Sequence, residues 1–346
     1  MTSDGKPLPP YPLFRGWPKG SQAKNISRHE GIASFQPSAI SAYTDAATRK
    51  QHLFVLNDFF DPTQYHFEVS PELTLKRVPH HARAVMQLEG SDQPFTPKFE
   101  GISRLNNGQF LANSPFGFSP LEAYRRIFLL DVEKATARVV PFDVKALGAY
   151  VQKITGQPWF QIEGLALDAE NKNVFLGVRF VGQSREGDKR AVVLLVRCPW
   201  DGETLGAPMG HVQFSTVETI GREEGLAEIQ LDPTDGSYVM LTSYEGDDEL
   251  SLTNMGGHLW RLPASALTAE EGPVRALAAP LARLRAKGEG VTVLSDRKIV
   301  VVFDDDNWKE NFHGYPAAAA EYMIYESDGR PALLQGGSES LQSESC

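Results

Sequence analysis

The chain has 346 residues, 44 acidic against 34 basic, for a formal net charge of −10. That length exceeds the usual single hydrophobic core, so a repeat fold or two domains is expected. The charge argues against nucleic acid or an anionic membrane as partner, since both need a basic footprint, and no apolar run approaches the roughly 20 residues of a bilayer span.

Residues 1–28 are expected as an N-terminal extension that contributes to ring closure, 29–335 as one repeat domain, and 336–346 as a polar tail. The opening "MTSDGKPLPPYPLFRGWPKG" has no apolar signal core. A cytoplasmic address is expected if the chain is complete, a periplasmic or secreted one if a leader has been removed. Two cysteines, Cys198 and Cys346, exclude a disulfide framework and a Cys-rich zinc site. Cys198 reads as a small buried apolar residue.

In chain order, a strand-like segment with a Glu-Gly pair recurs. The first copy, "HEGIASF" from His29, is followed by a long insertion, "QPSAISAYTDAATRKQ", and then by strands "HLFVLND" and "YHFEVS". The second, "FEGISRL" from Phe99, leads through an Asn-Asn-Gly turn into "GQFLANS", "RIFLLDV" and "TARVVPF". A helix is expected next, near "FDVKALGAYVQKI". The third, "IEGLALD" from Ile162, is followed by "NVFLGVR" and "VVLLVRC". The fourth, "EEGLAEIQLD" from Glu223, leads to "SYVMLTS", "GHLWRL" and "PVRALAA", with a second helix expected near "PLARLRAKG". The fifth, "GEGVTVL" from Gly288, is followed by "KIVVVFDDD", "EYMIYE" and "RPALLQG". The turns between first and second strands are rich in Asn, Asp and Gly, as hairpins require.

The central glutamates are Glu30, Glu100, Glu163, Glu224 and Glu289, spaced 70, 63, 61 and 65 residues apart. A four-stranded antiparallel unit at such a period is the signature of an all-β fold, the β-propeller. Five marks predict five blades. Six blades are the alternative if the N-terminal residues add strands. A monomer is expected.

In a propeller the first strand of each blade lines the central channel. Glycine there permits close backbone approach. The preceding glutamates would then stand at one height around the ring, where like charges about 4 Å apart repel by roughly 4 kcal/mol at an effective dielectric near 20. Two answers are open. Each carboxylate can be clipped to backbone N–H groups or to a basic neighbour, with Arg28, Lys98, Arg104 and Arg222 near in sequence. Alternatively some of the five hold a cation, and Ca²⁺ suits several loose oxygen ligands.

The residues ending each second strand, including Asn57, Asn113, Arg179, Ser243 and Asp304, emerge at the same face. Asn57 and Asn113 are candidate ligand-binding residues, and Arg179 suits a carboxylate or phosphate. His29 and Asp304 are the candidate catalytic groups. No nucleophile elbow, HExxH pair or P-loop is present.

The segments "IEGLALDAENKNVFLGVRF", "EEGLAEIQLDPTDGSYVMLTS" and "GEGVTVLSDRKIVVVFDD" resemble a bacterial propeller-like family of unknown function with repeated Glu-Gly-Leu/Ile-Ala segments. More distantly they are similar to the esterase-like-activity-of-phytase family. The resemblance covers roughly Glu100 to Asp305. It implies a propeller and, through the second family's name, an ester or phosphoester hydrolase. Two functions are therefore expected to compete. One is a binding scaffold with an acidic, calcium-binding channel that presents a face to a small anion, a protein or a glycan. The other is a metal-dependent hydrolase with Ca²⁺ at the channel mouth.

Overall fold

Alternating apolar residues and tight turns pair the strands into five small sheets, each wound outward from the axis. The computed structural model describes residues 24–25, 37–45, 48–57, 65–78, 86–90, 98–117, 125–245, 255–268, 272–284, 286–303 and 321–332. Blade 1 contains β2 (Pro37–Thr44), β3 (Gln51–Asn57), β4 (Tyr65–Val69) and β5 (Leu75–Arg77). Blade 2 contains β7 (Gly101–Arg104), β8 (Phe110–Asn113), β9 (Ile127–Asp131) and β10 (Thr136–Val139), with β6 (Gln87–Leu88) added outside in parallel. Blade 3 contains β11 (Trp159–Leu167), β12 (Asn173–Gly182), β13 (Lys189–Pro199) and β14 (Gly210–Ser215). Blade 4 contains β15 (Gly225–Leu231), β16 (Tyr238–Glu245), β17 (Met255–Leu262) and β19 (Ala282–Leu284). Blade 5 contains β20 (Gly288–Val293), β21 (Ile299–Phe303) and β22 (Glu321–Tyr325).

The innermost strands touch in the order β2, β7, β11, β15, β20 and back to β2, a closed ring of five. Five blades, not six, are therefore present. On the outer edge of blade 5 lies β1 (Lys24–Asn25), antiparallel to β22. A strand from one end of the chain thus completes a blade from the other end and covers an otherwise unpaired edge.

Turn chemistry sets the hairpin registers. In "LDAENKN" the Asp168 carboxylate accepts from Lys172 N at 2.7 Å and Asn173 Nδ2 at 2.6 Å, while Asn171 adopts a left-handed φ of 54°. Such side-chain caps are what Asp and Asn offer in tight turns. Apolar residues alternate into the inter-blade layers. Between blades 2 and 3, for example, Leu111 and Leu129 pack with Leu165, Leu176 and Leu194.

Helix α1 (Val144–Thr155) links blades 2 and 3. Asp143 caps its start by accepting from Ala146 N at 2.9 Å, left-handed Gly156 ends it, and Leu147 and Val151 are fully buried beneath it. The second expected helix, "PLARLRAKG", is not a helix. Its Ala282–Leu284 forms β19 and pairs with β17, so the demand of a blade for a fourth strand overrides helical composition. "PVRALAA" supplies instead β18 (Arg275–Ala276), which adds to blade 3 in parallel with β14. Cys198 is fully buried in β13, and burial pushes its thiol up to about 12.

The first blade corrects the expected repeat. Its inner strand is β2, lying inside the segment read as an insertion. The "HEGIASF" segment, with His29 and Glu30, falls outside the described residues, as does Asp304.

Candidate functional site

Each inner strand begins with a local irregularity. Opposite the second strand, the pairing skips Ser38 in β2, Glu163 in β11, Ala227 in β15 and Glu289 in β20. In blade 2, Glu100 N–H and Gly101 share one partner, Asn113. A bulge re-aims the side chain that it leaves unpaired, and here it turns the carboxylate away from the regular ladder.

The next residue in each blade stands close against the neighbouring blade. A Cβ on Gly101 would lie 2.8 Å from Leu165 N and 2.9 Å from Glu163 O in the neighbouring blade. One on Gly164 would lie 3.3 Å from Glu228 Cα and Ile229 N, and one on Gly290 would lie 3.2 Å from Ala39 Cα. The ring positions are therefore Ala39, Gly101, Gly164, Glu228 and Gly290. The Glu-Gly pair occupies them in three blades only. In blade 4 the pair Glu224-Gly225 sits three residues earlier, and Gly225 stands against Arg179 instead. In blade 1, Ser38-Ala39 takes the place expected for Glu30-Gly31.

The described repeat carboxylates are buried and each has a partner of its own. Lys98 Nζ lies 3.1 Å from Glu100 Oε1, and Lys287 Nζ lies 2.5 Å from Glu289 Oε1. Gln161 Nε2 donates to Glu163 Oε1, and Arg179 Nη1 lies 3.4 Å from Glu163 Oε2. Glu224 is bonded by Thr242 Oγ1 at 2.6 Å, with His258 Nδ1 at 3.0 Å. These partners follow a rule visible in the chain. Two residues before each Glu stand Arg28, Lys98, Gln161, Arg222 and Lys287, and a two-residue step keeps both side chains on one strand face. Where that residue is the neutral Gln161, Arg179 supplies the charge. Where it is Arg222, the guanidinium lies 3.7 Å over the Tyr244 ring.

Arg179 is 2% exposed and also donates from Nη2 to Ser243 Oγ at 2.9 Å. Its charge reaches Glu289 of blade 5. Burial pushes the Glu289 carboxyl up to about 7, with Glu163 adding to the rise while Lys287 and Arg179 oppose it. Four charged groups from two non-adjacent blades thus meet at this end of the channel. Asn113, fully buried, faces Gly101 and donates to Ser114 O at 3.1 Å. Asn57 ends β3, its backbone paired with Pro37.

Glu228 is not singled out by the repeat. It is fully buried at the ring position, and its Oε1 accepts from Ile229 N at 2.9 Å and Leu165 N at 3.3 Å. The Ile102 N–H and the Gln230 side chain favour the charged form from close by, while Oε2 has no hydrogen-bond partner among the described residues. Leu165 and Ile229 each directly follow a ring residue, so one side chain from blade 4 gathers the amides of two neighbouring blades. Burial raises its carboxyl well above the usual range, against the pull of those donors. A signal exists in the sequence. Asp168 lies four residues after Gly164, whereas Asp232 lies seven after Gly225, so aligning the turns rather than the Glu-Gly pairs places Glu228 at the ring.

Among the described residues, no group of three His, Cys, Asp or Glu side chains is arranged to hold a metal ion. No helix among them is long and apolar enough to cross a membrane.

No family model matches the chain, and no curated protein matches it by sequence. Solved structures do match. One is a gluconolactonase from Xanthomonas campestris, 8% identical over 84% of this chain and 86% of that one, with a TM-score of 0.38. Another, from Bacteroides uniformis and provisionally assigned as a 6-phosphogluconolactonase, is 13% identical over 84% of this chain and 68% of that one, with a TM-score of 0.35. Hydrazine synthase from Kuenenia stuttgartiensis is 10% identical over 90% of this chain and 67% of that one, also with a TM-score of 0.35. Likeness at this level transfers no chemistry.

Proposed function

We propose that the protein is a binding scaffold whose Glu-Gly end takes a small anionic ligand on Arg179 and Lys287. One observation carries this reading: every described repeat carboxylate has a cationic or imidazole partner from the protein itself. Such an array is charge-compensated rather than an acidic ring that demands a cation. Buried pairs of this kind contribute little net stability, because desolvation offsets attraction, but they fix geometry and leave strong charges close together. Glu289 is a member whose carboxyl is raised by burial. As its carboxyl takes up a proton near pH 7, the negative charge facing Lys287 and Arg179 falls by one. An anion then restores the balance.

The sign is fixed by the direction of that shift. Protonation of Glu289 favours the anion, so affinity rises as pH falls through about 7. Calorimetric titration with sulfate and oxalate, which do not titrate in this range, is expected to show about tenfold tighter binding at pH 6 than at pH 8. Lys287→Met should abolish the binding, and Glu289→Gln should remove its pH dependence. Absence of binding at both pH values would overturn the reading.

The same carboxyl favours a second reading, an ester or phosphoester hydrolase, since a group poised near the working pH suits general acid–base chemistry. Turnover of p-nitrophenyl acetate or phosphate that disappears in Glu289→Gln would establish it in place of the scaffold.

A further inference from the structure

The inner strands start at the Glu-Gly end, so their later residues line the opposite end of the channel. There a cavity of about 240 Å³ is bounded by residues from all five blades. At roughly 30 Å³ per liquid water, this is space for about eight waters, comparable to one pentose or hexose ring. It lies below the range of roughly 300–1,000 Å³ typical of drug-sized ligands.

The lining is hydroxyl and amide. Ser41 of blade 1, Ser103 of blade 2 and Thr292 of blade 5 are 2%, 3% and 3% exposed and face this space with Gln230 of blade 4. Among the described residues, the Ser41 and Ser103 hydroxyls make no hydrogen bond. Neither Oγ is among the fully enclosed polar atoms that lack a partner, so both open onto the cavity, where a polar occupant can bond them. Thr292 Oγ1 accepts from Ala42 N at 2.8 Å and keeps its own O–H to donate. Gln230 donates from its amide nitrogen to Ile102 O, which leaves its amide oxygen as an acceptor. Donors and acceptors are thus presented together, as an alcohol group requires.

Two further features narrow the chemistry. Leu167 and Val293 add apolar surface between the hydroxyls, suited to the C–H face of a ring. The single charged group of the lining is Arg104, an exposed residue whose guanidinium lies 5.6 Å over the Tyr43 ring. The interior is neutral. A cation would find no counter-charge there, and an apolar molecule would leave the hydroxyls unanswered.

We propose that this end of the channel is a second binding site, specific for a neutral, hydroxyl-rich small molecule of pentose or hexose size. The site is separate from the Glu-Gly end. The two are divided by the ring of Ala39, Gly101, Gly164, Glu228 and Gly290, and either can fail without the other.

Saturation-transfer NMR on the intact protein with D-xylose, D-glucose and myo-inositol tests this directly. At least one of the three is expected to receive saturation, and the Ser41→Ala/Ser103→Ala double variant should bind it at least tenfold more weakly, with melting unchanged. Two lost hydrogen bonds of ordinary strength predict a loss of about that size. In the wild type, amide shifts should map to Ser41, Ser103 and Thr292, a readout that does not depend on the variant folding. No transfer to any of the three, shifts confined to the Glu-Gly end, or full binding by a folded double variant would each overturn the proposal.

Discussion

Glu228→Ala is expected to lower stability by on the order of 4 kcal/mol. The substitution leaves the N–H groups of Leu165 and Ile229 without their shared acceptor, and each orphaned buried donor costs roughly 1–3 kcal/mol. It also opens space at the point where the blades converge, which adds a cavity cost. Glu228→Gln should behave differently. Burial raises the native carboxyl well above its usual range, which shifts it toward the neutral acid, and an amide copies that form's shape. A loss of less than about 1 kcal/mol is expected for Gln at neutral pH. The pH dependence follows from the same direction. A carboxyl raised on folding contributes stability below its unfolded value and loses it as pH rises, so the Gln variant should gain on the wild type as pH is increased. Urea unfolding of the three proteins at several pH values measures all of this. An Ala variant as stable as the wild type would show that the amides find other partners.

The second large effect is expected at Gly101. An added Cβ would lie 2.5 Å from Asn113 Oδ1, 2.8 Å from Leu165 N and 2.9 Å from Glu163 O. Two of these three atoms are backbone of the adjacent blade, so relief requires blades to separate rather than a side chain to swing. Gly101→Ala is therefore expected to cost about 3 kcal/mol or more, within the range of severe overpacking. Gly108→Ala is the matched control. Gly108 has φ near +90°, and a methyl group there would meet nothing within 4 Å, so its cost should be only about 1 kcal/mol, from backbone conformation alone. Equal losses for the two variants in chemical denaturation would contradict the close inter-blade contact.

The architecture is legible in the chain because it rests on local signals repeated at long range. Strand alternation, Asn/Asp/Gly turns and the Glu-Gly period each point to a five-fold ring, and the inner strands close it. What the period hides is its own irregularity. The repeat ranks Glu224 as equivalent to Glu163, yet three extra residues before the Asp232 turn shift blade 4 so that Glu228 stands at the ring. Blade 1 departs from the repeat for a related reason. Ser38-Ala39 serves as well as Glu-Gly where only a small residue is needed, so the true inner strand carries no mark. At the channel end, Lys98 is visible as a neighbour of Glu100, whereas Lys287 and Gln161 escape notice although they sit at the same two-residue offset. Arg179 stands out as an isolated charge. That it joins Glu163 to Glu289 across blades depends on tertiary approach, which no spacing in one strand reports.

The central claim is that the protein's own side chains answer the repeated carboxylates, Lys98, Arg179 and Lys287 as cations and Thr242 and His258 through hydrogen bonds. Thermal melting by calorimetry, with and without a chelator and followed by calcium add-back, tests it most directly. The charge-compensated pairs predict one melting temperature under all three conditions. A melting temperature that falls with the chelator and returns with calcium would contradict the claim and establish a stabilising metal site.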